Sequence, residues 1–472
     1  MLRLRLALLT SAVLPLAVAA QTPAPPAATI NVPFEKFTLP NGLTVVLAQN
    51  RATPLVAVEV IYHVGSKNEV AGRTGFAHMF EHVMFTGSGH VPYGYHDKFT
   101  EGVGGGNNGT TSNDWTIYYE TIPSNYLETA LWLESDRMGF LLDSLDDTKF
   151  RAQRDIVKNE RRQNTDNEPY ARENELLGNT MYPKGHPYSW PTIGSMSDLG
   201  NATVEDVKKF FRLYYAPNNA TLVIVGDFDT ARTKAWIAKY FGPFQRGAAI
   251  VRPNIGPHGL TGEKRITFED RVQIPRLHIQ WPSVSVKSDD QPALDVLSDI
   301  LGLTRVSRMQ KAMVYDKQIA ASVGVYQNPS EDVGQFEVIT TPRPGHTLTE
   351  LETHIDSLIE QIKREGPSAD ELKRVKAGQQ RSFFENLETN IGKMFQLATD
   401  QTFFNDPAHS WRVVYPKTQA VTAADVKRVA NKYLGKTRIV LSTVPEGKKE
   451  LASHADKSTV VIDPFTEKET RP

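Results

Sequence analysis

Thr203-Val204-Glu205-Asp206-Val207-Lys208 and Thr422-Ala423-Ala424-Asp425-Val426-Lys427 open the same pattern twice in one chain. Each sets Thr at a helix N-cap with Asp three residues on. Each then leads through a tyrosine, Tyr214 or Tyr433, to an apolar strand, Leu222–Val225 or Ile439–Leu441. A Thr-x-x-Asp-Val-Lys opening is common enough to recur by coincidence, but both copies stand just before a domain boundary. A chain of 472 residues is also too long for one ordinary core. The repeat therefore predicts a duplicated domain, which restricts the chain to two similar folds in tandem.

The boundaries follow from composition. Residues 246–265 carry Pro253, Gly256, Pro257 and Gly259 without apolar periodicity and read as a linker. This divides the chain into an N-terminal domain at 34–245, a homologous C-terminal domain at 266–447 and a tail at 448–472. Leu39-Pro40-Asn41-Gly42-Leu43 is a turn between two β-rich runs, with Asn-Gly at its centre. Strands are predicted at Thr44–Leu47, Val56–Val64, Leu222–Val225 and Leu277–Trp281. Helices are predicted at Gly75–Phe85, Tyr126–Leu141, from Asp147 to about Asn164, and at Ala293–Leu301.

Ahead of the first domain, Arg3 and Arg5 precede an apolar stretch from Leu6 to Ala17, too short to span a bilayer, and the small residues Ala19 and Ala20. This is the pattern of a signal peptide at 1–20, which sends the protein to the periplasm. The Pro/Ala-rich 21–33 reads as a flexible leader. No second apolar run approaches spanning length, so no membrane span is expected after cleavage. The formal net charge is -1, so no basic excess points to nucleic acid. The chain has no cysteine, which excludes disulfides, thiolate nucleophiles and Cys-ligated zinc. Any metal must be held by histidines and carboxylates.

His78-Met79-Phe80-Glu81-His82 meets that condition. Residues i and i+4 share one side of a helix, so both imidazoles can converge on one ion. Neutral imidazole is a good zinc ligand, and a catalytic site keeps a position open for water. Glu81, three residues after His78, is the carboxylate that can take a proton from that water and later deliver it to a leaving amine. Farther on, Gly104-Gly105-Gly106-Asn107-Asn108-Gly109-Thr110-Thr111 leads into a strand-like run, Trp115–Tyr119. Its glycines permit close backbone approach, either in a tight turn or along a bound peptide. His63 is expected inside a strand, and His90 and His96 in a Gly/Pro-rich loop. None of the three has metal spacing with another.

The sequence resembles the insulinase/pitrilysin family, whose zinc motif is the inverted His-x-x-Glu-His. The setting is similar to the short-chain branch that includes mitochondrial processing peptidase. The likeness runs through Leu39-Pro40-Asn41-Gly42-Leu43, Gly65-Ser66, Gly75-Phe76-Ala77-His78 and Glu81-His82-Val83-Met84-Phe85. It continues through Gly105-Gly106 with Asn108, Thr111, Asp114, Thr116 and Tyr118, and ends at Tyr215-Ala216-Pro217-Asn218-Asn219 with Gly226-Asp227.

The resemblance implies an α+β fold of two homologous domains, each an antiparallel sheet packed by helices. It implies a zinc endopeptidase with one Zn2+ per chain, held by His78, His82 and Glu160. It also implies substrate pairing along Gly105, Gly106, Asn107, Asn108 and Thr111. The family often has a glutamate seven residues before the third ligand. Here Gln153 stands there, able to hydrogen-bond but not to bring charge. Relatives usually carry an Arg and a Tyr, seven apart, in the second domain. Aligned on the helix and the strand after it, Val314 and Ala321 take those positions. Arg308 and Tyr315 have the spacing but lie six residues early. The expectation is therefore a heterodimer whose other chain supplies the pair. A rival expectation is a non-catalytic structural subunit, as some relatives have become.

Overall fold

Asn41 makes the first turn. Its side-chain amide donates to the carbonyls of Phe241 (2.8 Å) and Phe244 (3.1 Å), and its oxygen accepts from the Leu43 N–H (3.2 Å). Gly42 takes a φ of 95°, which a residue with a Cβ adopts only under strain. The turn joins two paired strands, as the Asn-Gly signal predicts. The computed structural model describes residues 30–458, 460–462 and 469–470, so the signal peptide and residues 21–29 of the leader lie outside the described residues.

In the first half the strands are β1 (Glu35–Thr38), β2 (Thr44–Gln49), β3 (Leu55–Tyr62), β4 (Gly106–Thr111), β5 (Thr116–Pro123) and β6 (Ala220–Gly226). Its helices are α1 (Phe76–Val83), α2 (Tyr95–Gly102), α3 (Leu127–Ser144), α4 (Asp147–Arg161), α5 (Glu173–Met181), α6 (Met196–Asn201), α7 (Val204–Tyr214) and α8 (Thr230–Phe241). The second half has β7 (Lys264–Asp270), β8 (Arg276–Ser283), β9 (Ala320–Pro329), β10 (Gly334–Pro342), β11 (Ile439–Pro445), β12 (Val460–Ile462) and β13 (Glu469–Thr470). Its helices are α9 (Gln291–Gly302), α10 (Leu348–Glu365), α11 (Ala369–Glu388), α12 (Asn390–Phe404), α13 (Tyr415–Ala420) and α14 (Ala423–Tyr433).

The strand order is β1-β2-β6-β3-β5-β4 in one sheet and β13-β12-β7-β11-β8-β10-β9 in the other. The runs β2-β6-β3-β5-β4 and β7-β11-β8-β10-β9 are the same arrangement, so the fold is α+β and duplicated. The two repeated hexapeptides occupy equivalent places. Thr203 and Thr422 each cap a helix through a reciprocal box with Asp206 or Asp425, and each helix delivers the chain to a central, fully buried strand, β6 or β11. Because that strand arrives by a helical crossover, it runs parallel to one neighbour, β2 or β7, and antiparallel to the other. Apart from those pairs and the β12·β7 pair, neighbouring strands are antiparallel. Within 448–472, expected as a tail, Val460–Ile462 adds β12 alongside β7.

Each sheet packs one face on its own helices and the other on the opposite half. α12 lies over β3 and β6, with the Phe395 ring edge-on to Tyr119 at 5.0 Å. Reciprocally, Leu177 and Met181 of α5 form one cluster with Phe268, Ile439 and Leu441. Burial on both faces explains why β6 and β11 read as continuous apolar runs rather than alternating ones. Each buried Val, Leu or Ile there contributes about 1.5–3 kcal/mol. Of the expected linker, 246–263 has no helix or strand, and its last two residues already belong to β7.

Candidate metal centre

The helix α1 is short and carries its chemistry on one side. Phe76, Met79, Phe80 and Val83 are buried in the core, leaving His78, Glu81 and His82 on the other face. Its start is fixed without an ordinary cap. Gly75 has a φ of 90°, and a Cβ there would lie 2.7 Å from the Ile193 carbonyl oxygen. The buried Glu69 carboxylate accepts the N–H groups of Gly75 (2.9 Å) and Ala77 (2.8 Å), satisfying two of the helix's open donors. Burial pushes the Glu69 carboxyl up to about 8, with those N–H bonds opposing the rise.

The helix α4 brings Glu160. Asp146 caps it, and Phe150 and Val157 bury its inner face. Arg161, itself buried, donates to the Gly194 carbonyl (2.6 Å) and to Glu175 (3.0 Å). Gly194 packs directly on Gly75, so Arg161 ties the end of α4 to the start of α1.

These two helices bring the three expected ligands together. Glu160 Oε2 lies 3.1 Å from His82 Nε2 and 3.8 Å from His78 Nε2, and one donor atom from each residue falls within 4.8 Å of the others. Two ligands each about 2.05 Å from a tetrahedral zinc ion stand roughly 3.3 Å apart. The observed separations bracket that value, and the N,N,O donor set suits zinc. Burial, then the neighbouring His82, lowers His78 to about 4. Burial also lowers His82, against the pull of Glu160. Both imidazoles are thus neutral at pH 7, the form that binds metal. His78 Nδ1 is buried and has no partner among the described residues. Gln153 lies two turns before Glu160 on α4 and is buried.

Glu81 sits beside the three ligands. Its Oε2 accepts from the Thr111 hydroxyl at 2.7 Å, so Thr111, expected along the substrate strand, also orients this carboxylate. Burial pushes Glu81 up to about 7, opposed by the Thr111 bond and aided by the charge of Glu160. Gly109 leaves room for it, since a Cβ there would come within 3.1 Å of Glu81 Cγ. The strand carrying both residues, β4, is the edge of its sheet. The Gly109 N–H donates to its neighbour's Asn108 Oδ1 (2.8 Å). Asn107 donates to Thr100 Oγ1 (2.6 Å), and Gly105 precedes the strand, with its N–H on the Thr100 carbonyl (2.7 Å).

Two family profiles match successive parts of the chain. "Insulinase (Peptidase family M16)" matches residues 44–192, and "Peptidase M16 inactive domain" matches 201–379. The zinc protease PqqE of Helicobacter pylori is 32% identical over 408 residues, 86% of this chain and 91% of that protein. The chain belongs to the insulinase (M16) peptidase family. A crystal structure of a protease from Helicobacter pylori superposes with a TM-score of 0.82 at 31% identity, covering 88% of this chain and 99% of that one. The first half of the periplasmic protease PqqL from Escherichia coli shares the fold at a TM-score of 0.72 and 18% identity, covering 91% and 94%.

In the M16 chain, among the described residues, none of the other sequence candidates falls in the group formed by His78, His82 and Glu160. Arg308 is held by both oxygens of Glu371 (2.7 and 2.8 Å) and by the Gly366 carbonyl (2.9 Å), so its guanidinium is a structural tie. Tyr315 is half exposed, Val314 is buried and Ala321 is exposed. His90 pairs with Asp136 (2.6 Å). His96 lies on α2 rather than in a loop, and is buried. His63 follows β3 and meets Glu331 at 2.6 Å.

One element went unread in the sequence. Lys67 is buried among Glu331 (2.6 Å), Asp332 (2.7 Å) and Asp114 (3.0 Å), three carboxylates close enough together to hold an ion. Burial pushes its pKa down, but these acids more than offset it and the ammonium stays charged. Asp114 also accepts the Glu331 N–H (2.8 Å), so the second half grips the β4–β5 turn just beyond Thr111. No local signal marks Lys67, because Glu331 and Asp332 lie more than 260 positions away.

Proposed function

We propose that this chain is a zinc-dependent endopeptidase that hydrolyses peptides or small unfolded polypeptides. The observation that carries the reading is the convergence of His78, His82 and Glu160 with Glu81 beside them. The first half, 34–245, would hold one zinc ion and the chemistry, and the second half, 266–447, would close over the substrate. When bound, the ion supplies a Lewis acid and a water whose pKa is lowered to about 7.

The chain's own residues do the rest. Glu81 takes a proton from the attacking water and returns it to the leaving amine, and Thr111 holds the carboxylate in place for both transfers. Gly106, Asn107, Asn108 and Thr111 lie on the edge strand β4, with Gly105 just ahead of it, and an extended peptide pairing along that edge would gain affinity with little demand on sequence. Gln153 is assigned a supporting place behind the ligands on α4. The non-catalytic reading is disfavoured by the intact set of four, since the family description that includes "inactive" falls on 201–379, outside that set.

Export to the periplasm rests on the 1–20 signal pattern and agrees with the Escherichia coli PqqL protease being periplasmic. Among the described residues no helix is long and apolar enough to cross a membrane. The heterodimer reading rests on Val314 and Ala321, neither of which can donate a hydrogen bond from its side chain. Chelation tests the metal dependence. Stripping the metal should abolish cleavage of an unstructured peptide, and one equivalent of zinc should restore it. Undiminished cleavage by metal-free protein would end this reading.

A further inference from the structure

Duplication places a cavity in the second half where the first half holds its metal centre. In the first half, α1 follows β3 and meets α4 and the edge strand β4. In the second, α9 follows β8 and meets α11 and the edge strand β9. Between α9, α11 and β9, with α13 closing one side, lies a cavity of about 450 Å³. That is the size of a small-molecule pocket.

Its side chains differ from their counterparts in the first half. Asp295 and Asp299 stand four apart on α9, as His78 and His82 do on α1. Gln379 of α11 donates to Asp299 (2.7 Å), where Glu160 of α4 meets His82 (3.1 Å). No third acid or histidine among the described residues completes a metal site with the two aspartates.

Two features suit the cavity to an organic cation. The first is negative charge without a countercharge. No Lys, Arg or His lines the cavity, and Lys376 on α11 is turned to the Gln419 carbonyl (2.7 Å). Burial, then the charge of Asp299, pushes Asp295 up to about 7, and burial pushes Asp299 up to about 6. Because Gln379 gives its NH2 group to Asp299, its oxygen is turned away from that carboxylate. The oxygen is buried and has no partner among the described residues, which leaves an open acceptor. Gln327 Nε2 is the one donor of the lining left in the same state. The second feature is an aromatic wall. The rings of Phe383 and Tyr415 stack with centroids 4.9 Å apart, and the half-exposed Tyr326 adds a third ring. Ring faces attract an ammonium group through their quadrupole.

We propose that this cavity binds a small organic ammonium compound, with Asp295 and Asp299 meeting its charge and the three rings packing around it. The proposal uses no residue of the metal centre and does not depend on the peptidase reading.

Calorimetric titration of the zinc-loaded full chain with diaminobutane tests it, with butanediol as the uncharged match. The diamine should bind and the diol should not. Asp295→Asn and Asp299→Asn keep the side-chain shape, and each should raise Kd about tenfold or more by removing a charge-assisted hydrogen bond. Tyr326→Ala, at a half-exposed site, should raise Kd about threefold. Should an aspartate variant fail to fold, Tyr326→Ala decides alone. Unchanged binding in the folded variants would overturn the proposal and assign the amine to the zinc ion. No heat from the diamine, equal heat from the diol, or displacement of the diamine by an equal concentration of magnesium chloride would overturn it as well.

Discussion

Glu81→Gln should lower the rate of peptide cleavage about 10³–10⁴-fold while leaving the fold and the bound zinc intact. The side chain is nearly isosteric, and its remaining oxygen can still accept from the Thr111 hydroxyl, which now lies 2.7 Å from the carboxylate. None of the three expected ligands is touched. What disappears is a group that can take a proton and return it, because an amide does neither at neutral pH. The effect should fall on kcat, since the strand edge proposed to bind peptide is untouched. A variant that cleaves at close to the wild-type rate would remove Glu81 from the mechanism.

A companion chain should raise the activity of this one by about a hundredfold or more. An acyl-transfer site without donors for the developing oxyanion loses roughly that factor. In this chain the positions that would supply them are Val314 and Ala321, and the nearby Arg308 is occupied by Glu371 and the Gly366 carbonyl. The repair is a similar second chain bearing the Arg/Tyr pair, which need not bind metal. Peptide cleavage by the purified chain alone and with that companion measures the factor. Arg308→Ala and Tyr315→Phe should not affect the combined activity. Full activity without the companion would show that the donors come from elsewhere in this chain.

Much of this was legible in the sequence, and the reasons are local. His78 and His82 share a helix face by spacing alone, and β6 and β11 announce themselves as apolar runs because both their faces are buried. The repeated Thr caps recur in the structure at equivalent places for the same reason, since a capping box is contained within four residues. Glu160 was different. A lone charged residue on an amphipathic helix carries no mark of a ligand, and only family resemblance singled it out.

What stayed hidden depends on distance along the chain. Strand patterns do not state neighbours, so the parallel insertion of β6 beside β2 could not be read. Nor could the reciprocal packing of α12 on one sheet and α5 on the other. The buried Lys67, with partners on Asp114 and on the distant Glu331–Asp332 turn, looks in sequence like any surface lysine. Glu69 likewise reads as a solvated charge, yet it holds the first turn of α1.

The central claim is that His78, His82 and Glu160 form one zinc site. The most direct measurement is the zinc content per chain of the purified wild-type protein and of Glu160→Gln. The account expects about one zinc per chain in the wild type and a large loss in the variant, with both folded. Full retention of zinc in Glu160→Gln would contradict the assignment of Glu160.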